Sequence, residues 1–190
     1  MNRRGLAILI LLCAMLLSSC GSGQQQEPLF EVTQVEADVL DQSTEQAITV
    51  FVDLNLKFTP AVEEALRKGV VITLKADTRI VHDEHITRVV KGQGHRWQIQ
   101  FLPLSRHYLL TDLRSKEQTS WPRLRHALAA LRGVEIVLPS VQLKPGNYRL
   151  EVMVYLDRRK LPAPLRLPAL VSSAWKLKST WYKWQFRITK

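Results

Sequence analysis

Residues 48–58 read Ile48-Thr49-Val50-Phe51-Val52-Asp53-Leu54-Asn55-Leu56-Lys57-Phe58, with an apolar side chain at every even position. Successive side chains of a strand point to opposite faces, so this period of two places Ile48, Val50, Val52, Leu54, Leu56 and Phe58 together on a core. A helix would scatter the same six residues around its circumference. The chain is therefore read as β-rich, with this strand at its centre.

The flanks follow the same grammar. Asp41-Gln42-Ser43-Thr44-Glu45 is turn material, and residues 31–40 before it are mixed, with Val35, Ala37 and Val39 alternating against Glu36 and Asp38 as in an outer or edge strand. After Phe58, Thr59 is a helix N-cap and Pro60 a first-turn residue. Glu63 and Glu64 lie where the helix dipole favours acid, and Arg67, Lys68 and Gly69 mark the end. Val62, Ala65 and Leu66 share one face of this short helix. Val70, Ile72, Leu74 and Ala76 then resume the alternation.

Further along, residues 86–91 and 96–102 are expected to form a hairpin around Gly92-Gln93-Gly94, with Trp97, Ile99 and Phe101 on its buried side. Residues 109–120 carry a weak pattern and are read as irregular. A second helix fits residues 120–132, capped by Ser120, with Leu124, Ala127, Leu128 and Leu131 inward and Gly133 as the stop. Arg123, Arg125, His126 and Arg132 then face away from the core. Two more strands follow, over 134–138 and from Tyr148 to Asp157. A Tyr just after Pro145-Gly146-Asn147 resembles the tyrosine corner of immunoglobulin-like sandwiches, whose hydroxyl bonds back to the upstream backbone. Leu161 to Leu170 holds three prolines and is expected to cross the surface in extended form. The last strand, residues 180–188, puts Thr180, Tyr182, Trp184, Phe186 and Ile188 on one side. Together these give an immunoglobulin-like β-sandwich of seven or eight strands with two short inserted helices. An α+β sheet with both helices on one face is the alternative.

The first residues have another purpose. Arg3 and Arg4 precede an apolar run from Gly5 to Leu17, which is too short to span a bilayer, and small residues then lead to a Cys. Leu17-Ser18-Ser19-Cys20 resembles the lipobox of bacterial lipoproteins. That resemblance implies a signal peptide over 1–19, a mature chain beginning with Cys20 under three acyl chains, and firm membrane attachment. Cys13 leaves with the signal, so no disulfide is expected. Gly21 is not the Asp associated with inner-membrane retention. The implied address is an outer-membrane anchor facing the periplasm, with the inner membrane as the alternative. Residues 20–29 are the lipidated Cys and a Gly/Ser/Gln-rich tether reaching at most roughly 30 Å. One β-sandwich domain is expected over 30–190.

Of the 190 residues, 46% are hydrophobic and 23% charged, within the ordinary globular range. Removing Arg3 and Arg4 from 27 Lys+Arg leaves 25 against 17 Asp+Glu, a balance of +8 that favours anionic partners. An exported chain meets anionic lipid, lipopolysaccharide, peptidoglycan and other proteins rather than nucleic acid. The candidate partner surface is Arg158, Arg159, Lys160 and Arg166 around the Pro-rich segment, with Trp181 and Lys183. Trp175, Lys176 and Lys178 mix rings with cations nearby, as interfaces often do.

Catalytic signals are thin. His82-Asp83-Glu84-His85 offers zinc-type ligands, but two His three apart on a strand-to-loop segment point to opposite sides. No nucleophile elbow, phosphate-binding Gly loop or free nucleophilic Cys is present, and His95, His107 and His126 have no evident carboxylate partner in sequence. No cofactor, metal or enzymatic activity is expected; a zinc hydrolase using His82 and His85 is the minority reading.

The arrangement resembles a proteobacterial family of short exported proteins known as domain of unknown function 4390. The resemblance rests on Phe58-Thr59-Pro60 with Glu63, Glu64, Ala65 and Leu66, on Pro145-Gly146-Asn147-Tyr148, on Leu161-Pro162-Ala163-Pro164-Leu165, and on Trp175, Trp181 and Trp184. It implies no established activity, and a gene neighbourhood shared with a nitrogen-regulation-type sensor kinase. The functional expectation is a lipid-anchored binding or assembly module, accessory to an envelope protein such as that kinase. A binder of anionic envelope polymer is the alternative.

Overall fold

In the computed structural model, residues 30–40, 47–82, 88–91, 94–138 and 143–189 are described. The signal, Cys20, the tether and His85 lie outside them. Phe30–Leu40 (β1), Ala47–Leu56 (β2) and Val134–Val137 (β8) form an antiparallel sheet in the order β1-β2-β8. The strand read from residues 48–58 is thus central, and β1 is the edge strand its mixed pattern predicts.

The second sheet has seven strands. Ile72–His82 (β3) is its middle, flanked on one edge by Gly146–Leu156 (β9) and then Tyr182–Ile188 (β10). On the other edge lie Arg88–Lys91 (β4) and His95–Leu102 (β5), followed outward by His107–Asp112 (β6) and Gln118–Trp121 (β7). Alternate residues of both sheets meet in one core, and Ile48, Val50, Val52 and Leu54 of β2 are all within 2% of complete burial. Each such side chain contributes roughly 1.5–3 kcal/mol by leaving water. The result is a two-sheet, sandwich-like β fold, and the α+β alternative does not hold.

Three helices join the strands. Pro60–Arg67 (α1) begins as expected: Thr59 Oγ1 accepts the Val62 N–H at 3.3 Å, and Val62, Ala65 and Leu66 are buried. Gly69 ends it at φ +88, a conformation that suits a residue without a Cβ. Leu124–Ala129 (α2) is shorter than expected, because Ser120 and Trp121 belong to β7, and Arg123 rather than Ser120 stands at its N-cap. Ala163–Val171 (α3) corrects the extended reading of the Pro-rich segment. Pro162 and Pro164 sit where a helix start needs no N–H donor, and only Pro168 interrupts the ladder.

Two other expectations change. Residues 109–120 are not irregular: β6 and β7 pair there, joined by a turn in which Asp112 Oδ1 accepts the N–H groups of Arg114 and Ser115. Of the expected hairpin, residues 86–87 and the Gly92-Gln93 turn lie outside the described residues, and the described strands Arg88–Lys91 and His95–Leu102 do not pair with each other. Both pair with the same edge of β3, Lys91 opposite Arg79 and His95 opposite Ala76. They act as one interrupted strand whose register slips by a residue, as at a bulge. Gly94 sits at that slip with φ +72, where an added Cβ would stand 2.6 Å from Lys75 Cε. Among the described residues there are ten strands where seven or eight are expected, and three helices where two are expected.

The tyrosine corner is present. Tyr148 is 2% exposed, and its hydroxyl donates to the Lys144 carbonyl at 2.8 Å. This bond fixes the entry to β9, the strand that carries the site.

Candidate functional site

Alternation along β9 buries Leu150, Val152, Val154 and Leu156 in the core and turns Arg149, Glu151, Met153 and Tyr155 to the outer face of the large sheet. After Leu156 the strand stops, because Asp157 bonds its N–H to the Thr73 carbonyl and accepts the Arg159 N–H with its side chain, capping a 3-10 turn over Arg158–Lys160. The chain then makes α3 and a 3-10 turn at Ser173–Trp175, and residues 177–179 return beside β9: the Leu156 N–H donates to the Leu177 carbonyl, and Tyr155 bridges Lys178.

These segments enclose a cleft of about 730 Å³. Its walls carry seven cations, Lys75, Arg96, Arg158, Arg159, Lys160, Lys176 and Lys178, against one lining carboxylate, Asp157, already engaged as the cap. Tyr155, Leu156, Leu170, Trp175 and Leu177 supply the apolar part. So many like charges around one concavity focus a positive potential that draws in anions. Lys75 is held by Asp77, whose other oxygen accepts the Tyr155 hydroxyl at 3.0 Å. Burial alone would lower the Lys75 pKa, but its bonds to Asp77 and Tyr155 outweigh that and hold the ammonium above its ordinary value. It stays charged.

The sequence candidates divide. Arg158, Arg159 and Lys160 line the cleft, although Arg158 also donates to the Ala169 and Leu170 carbonyls and so fastens the end of α3. Arg166 does not line it; its Nε donates to the Leu161 carbonyl. Trp181 lies further along the same outer face, with the Arg79 guanidinium 4.0 Å from its ring centroid. Lys183 stands opposite Glu151 in the β10–β9 pairing and is exposed. Glu151 is 3% exposed and clasped by Arg79 and Arg149. Burial alone would raise its pKa, yet the two guanidiniums hold the carboxyl below its ordinary value. The cations that sequence reasoning missed, Lys75 and Arg96, come from β3 and β5 and are directly opposite each other in register. Only strand pairing reveals that contact.

His82 ends β3 with its ring edge-on to Tyr148 at 5.0 Å. Among the described residues no three metal-ligating side chains come together. His95, read as lacking a carboxylate, has one: its Nε2 meets Asp112 across the β5–β6 pairing, and its ring stacks on Trp97 at 4.5 Å. Burial would raise the Asp112 pKa, but the His95 bond and the Arg114 and Ser115 N–H groups keep it low. Among the described residues, His95 Nδ1 and Thr78 Oγ1 are buried without a hydrogen-bond partner.

The family model described as Domain of unknown function (DUF4390) matches residues 29–185. The chain belongs to that family. The match takes in both sheets of this DUF4390 domain and all the cations of the cleft. No curated protein and no solved structure matches the chain. No helix among the described residues is long and apolar enough to cross a membrane.

Proposed function

We propose that this DUF4390 protein is a lipid-anchored envelope module that works by binding rather than catalysis, holding an acidic segment of an envelope protein in its cationic cleft. The observation that carries the reading is the convergence of seven Lys and Arg side chains from separate elements on one concave site floored by Trp175, Leu156 and Leu177. A bounded cleft mixing cations with buried aromatic and aliphatic surface suits a short acidic peptide segment, whose side chains supply both charge and apolar contact. The extracytoplasmic part of a sensor kinase is the partner that the family's gene context suggests. The address rests on Cys20: Cys20→Ala should abolish acylation and leave the protein without the mass of its three acyl chains.

The discriminating experiment titrates the protein with a fluorescent glutamate-rich peptide containing Trp and Leu, and separately with lipopolysaccharide and soluble peptidoglycan fragments. The peptide should bind, with part of its affinity surviving as the Debye length falls from about 10 Å at 0.1 M salt to about 3 Å at 1 M. Lys176→Glu with Lys178→Glu should remove that binding. Binding confined to the polymers and lost at high salt would replace the peptide reading with that of a polyanion binder.

A further inference from the structure

Five large apolar side chains stand exposed among the described residues, and four of them, Leu104, Leu167, Leu170 and Val171, belong to one end of the sandwich. The topology fixes that end. Ile72 opens β3 opposite Ile99 of β5, and Leu74 pairs Leu156 of β9, so the turn holding Leu104 and the segment leading into α3 both project past the start of β3. The amino end of the folded domain lies there too. Phe30 pairs Leu56 and stacks on Phe58 at 6.0 Å, and the neighbouring Thr59 hydroxyl donates to the Ala174 carbonyl at 2.9 Å, three residues past α3.

Leu104, Leu167 and Val171 are 103%, 76% and 83% exposed, far more than solvation of isolated side chains needs explaining, and they share the end with Arg158, Arg159 and Lys160. Residues 1–29 hold the apolar run and the lipobox, and the nine-residue tether after Cys20 joins the domain at Phe30. An anchor there joins the domain at this end and so holds it nearest the lipid. Apolar side chains that share one end of the domain with cations and with the tether match an anionic bilayer surface in both chemistry and place.

We propose that this end of the domain docks on the membrane, with Leu104, Leu167 and Val171 entering the headgroup–acyl boundary and Arg158, Arg159 and Lys160 facing anionic lipid. Docking makes the tether one of two attachments and sets the cleft at a fixed height above the bilayer. The inference takes the anchor from the functional reading and shares Arg158, Arg159 and Lys160 with the cleft, so its test rests on the apolar residues Leu104, Leu167 and Val171, none of which lines the cleft.

Flotation with vesicles tests it without the anchor. Among the described residues the core runs from Phe30 to Ile188, so a chain from Gly21 to Lys190 keeps it, and circular dichroism checks that it folds. It should float with vesicles of phosphatidylethanolamine and phosphatidylglycerol, and less with phosphatidylcholine. Leu104→Asp with Leu167→Asp and Val171→Asp should lower the bound fraction at least about tenfold, while Phe51→Asp, on the small sheet, should not. None of the three residues lines the cleft, so the triple variant should still bind the glutamate-rich peptide. Unchanged flotation of the triple variant, or none by the parent, overturns the proposal. So does sedimentation showing a dimer that the triple variant dissociates, which would make a second copy the occupant of this end.

Discussion

The Thr59 hydroxyl both accepts the Val62 N–H and donates to the Ala174 carbonyl, so one side chain caps α1 and ties it to the segment after α3. Thr59→Val keeps the shape and removes both bonds. The expected cost is about 2 kcal/mol, the sum of a lost cap and a lost interior hydrogen bond. Urea unfolding measures it, and a change within error of zero would mean that water replaces both partners.

Tyr148→Phe removes only the corner bond to Lys144 and keeps the ring that packs on Phe186 and His82. A loss of about 1 kcal/mol is expected, without a change in the slope against denaturant. A Lys144→Ala change, which keeps the carbonyl, should leave this bond and most of the stability intact.

Glu151 predicts an acid response. Its carboxyl is held below the ordinary value of 4.5, so the folded state prefers it ionised, and its contribution is present above that value and is lost as pH falls through the lowered one. Glu151→Gln leaves Arg79 and Arg149 with a neutral acceptor and should cost about 2 kcal/mol near neutrality. The difference from the parent should shrink in acid. A gap independent of pH would assign the loss to packing instead.

Local patterns told most about the fold where one element's own residues decide its state. The alternation of Ile48 to Phe58, the Thr59-Pro60 helix start and the Tyr148 corner are legible because each depends on neighbours within a few residues. The Pro-rich segment misled because proline forbids a central strand yet is welcome at a helix start, and Pro164 occupies such a position. The β6–β7 pair was hidden by polar outer residues and by the Asp112 turn, which interrupts the period. Pairing across the sheet is not a local property, so the His95–Asp112 contact and the approach of Lys75 and Arg96 to the basic 158–160 turn are invisible in sequence. Arg158, Arg159 and Lys160 were legible because they are consecutive. The cleft they complete needs strands far apart in the chain.

The binding claim meets its most direct test in the living envelope. A photoreactive amino acid at Lys178, inside the cleft, should crosslink to a protein through a segment rich in Asp or Glu, and the adduct should vanish when Arg159 and Lys176 are reversed to Glu. The same probe at Glu135, on the small sheet, serves as the background. Adducts from Lys178 no different from that background, or containing only lipopolysaccharide or peptidoglycan, would contradict the account of the cleft as a receptor for an acidic protein segment.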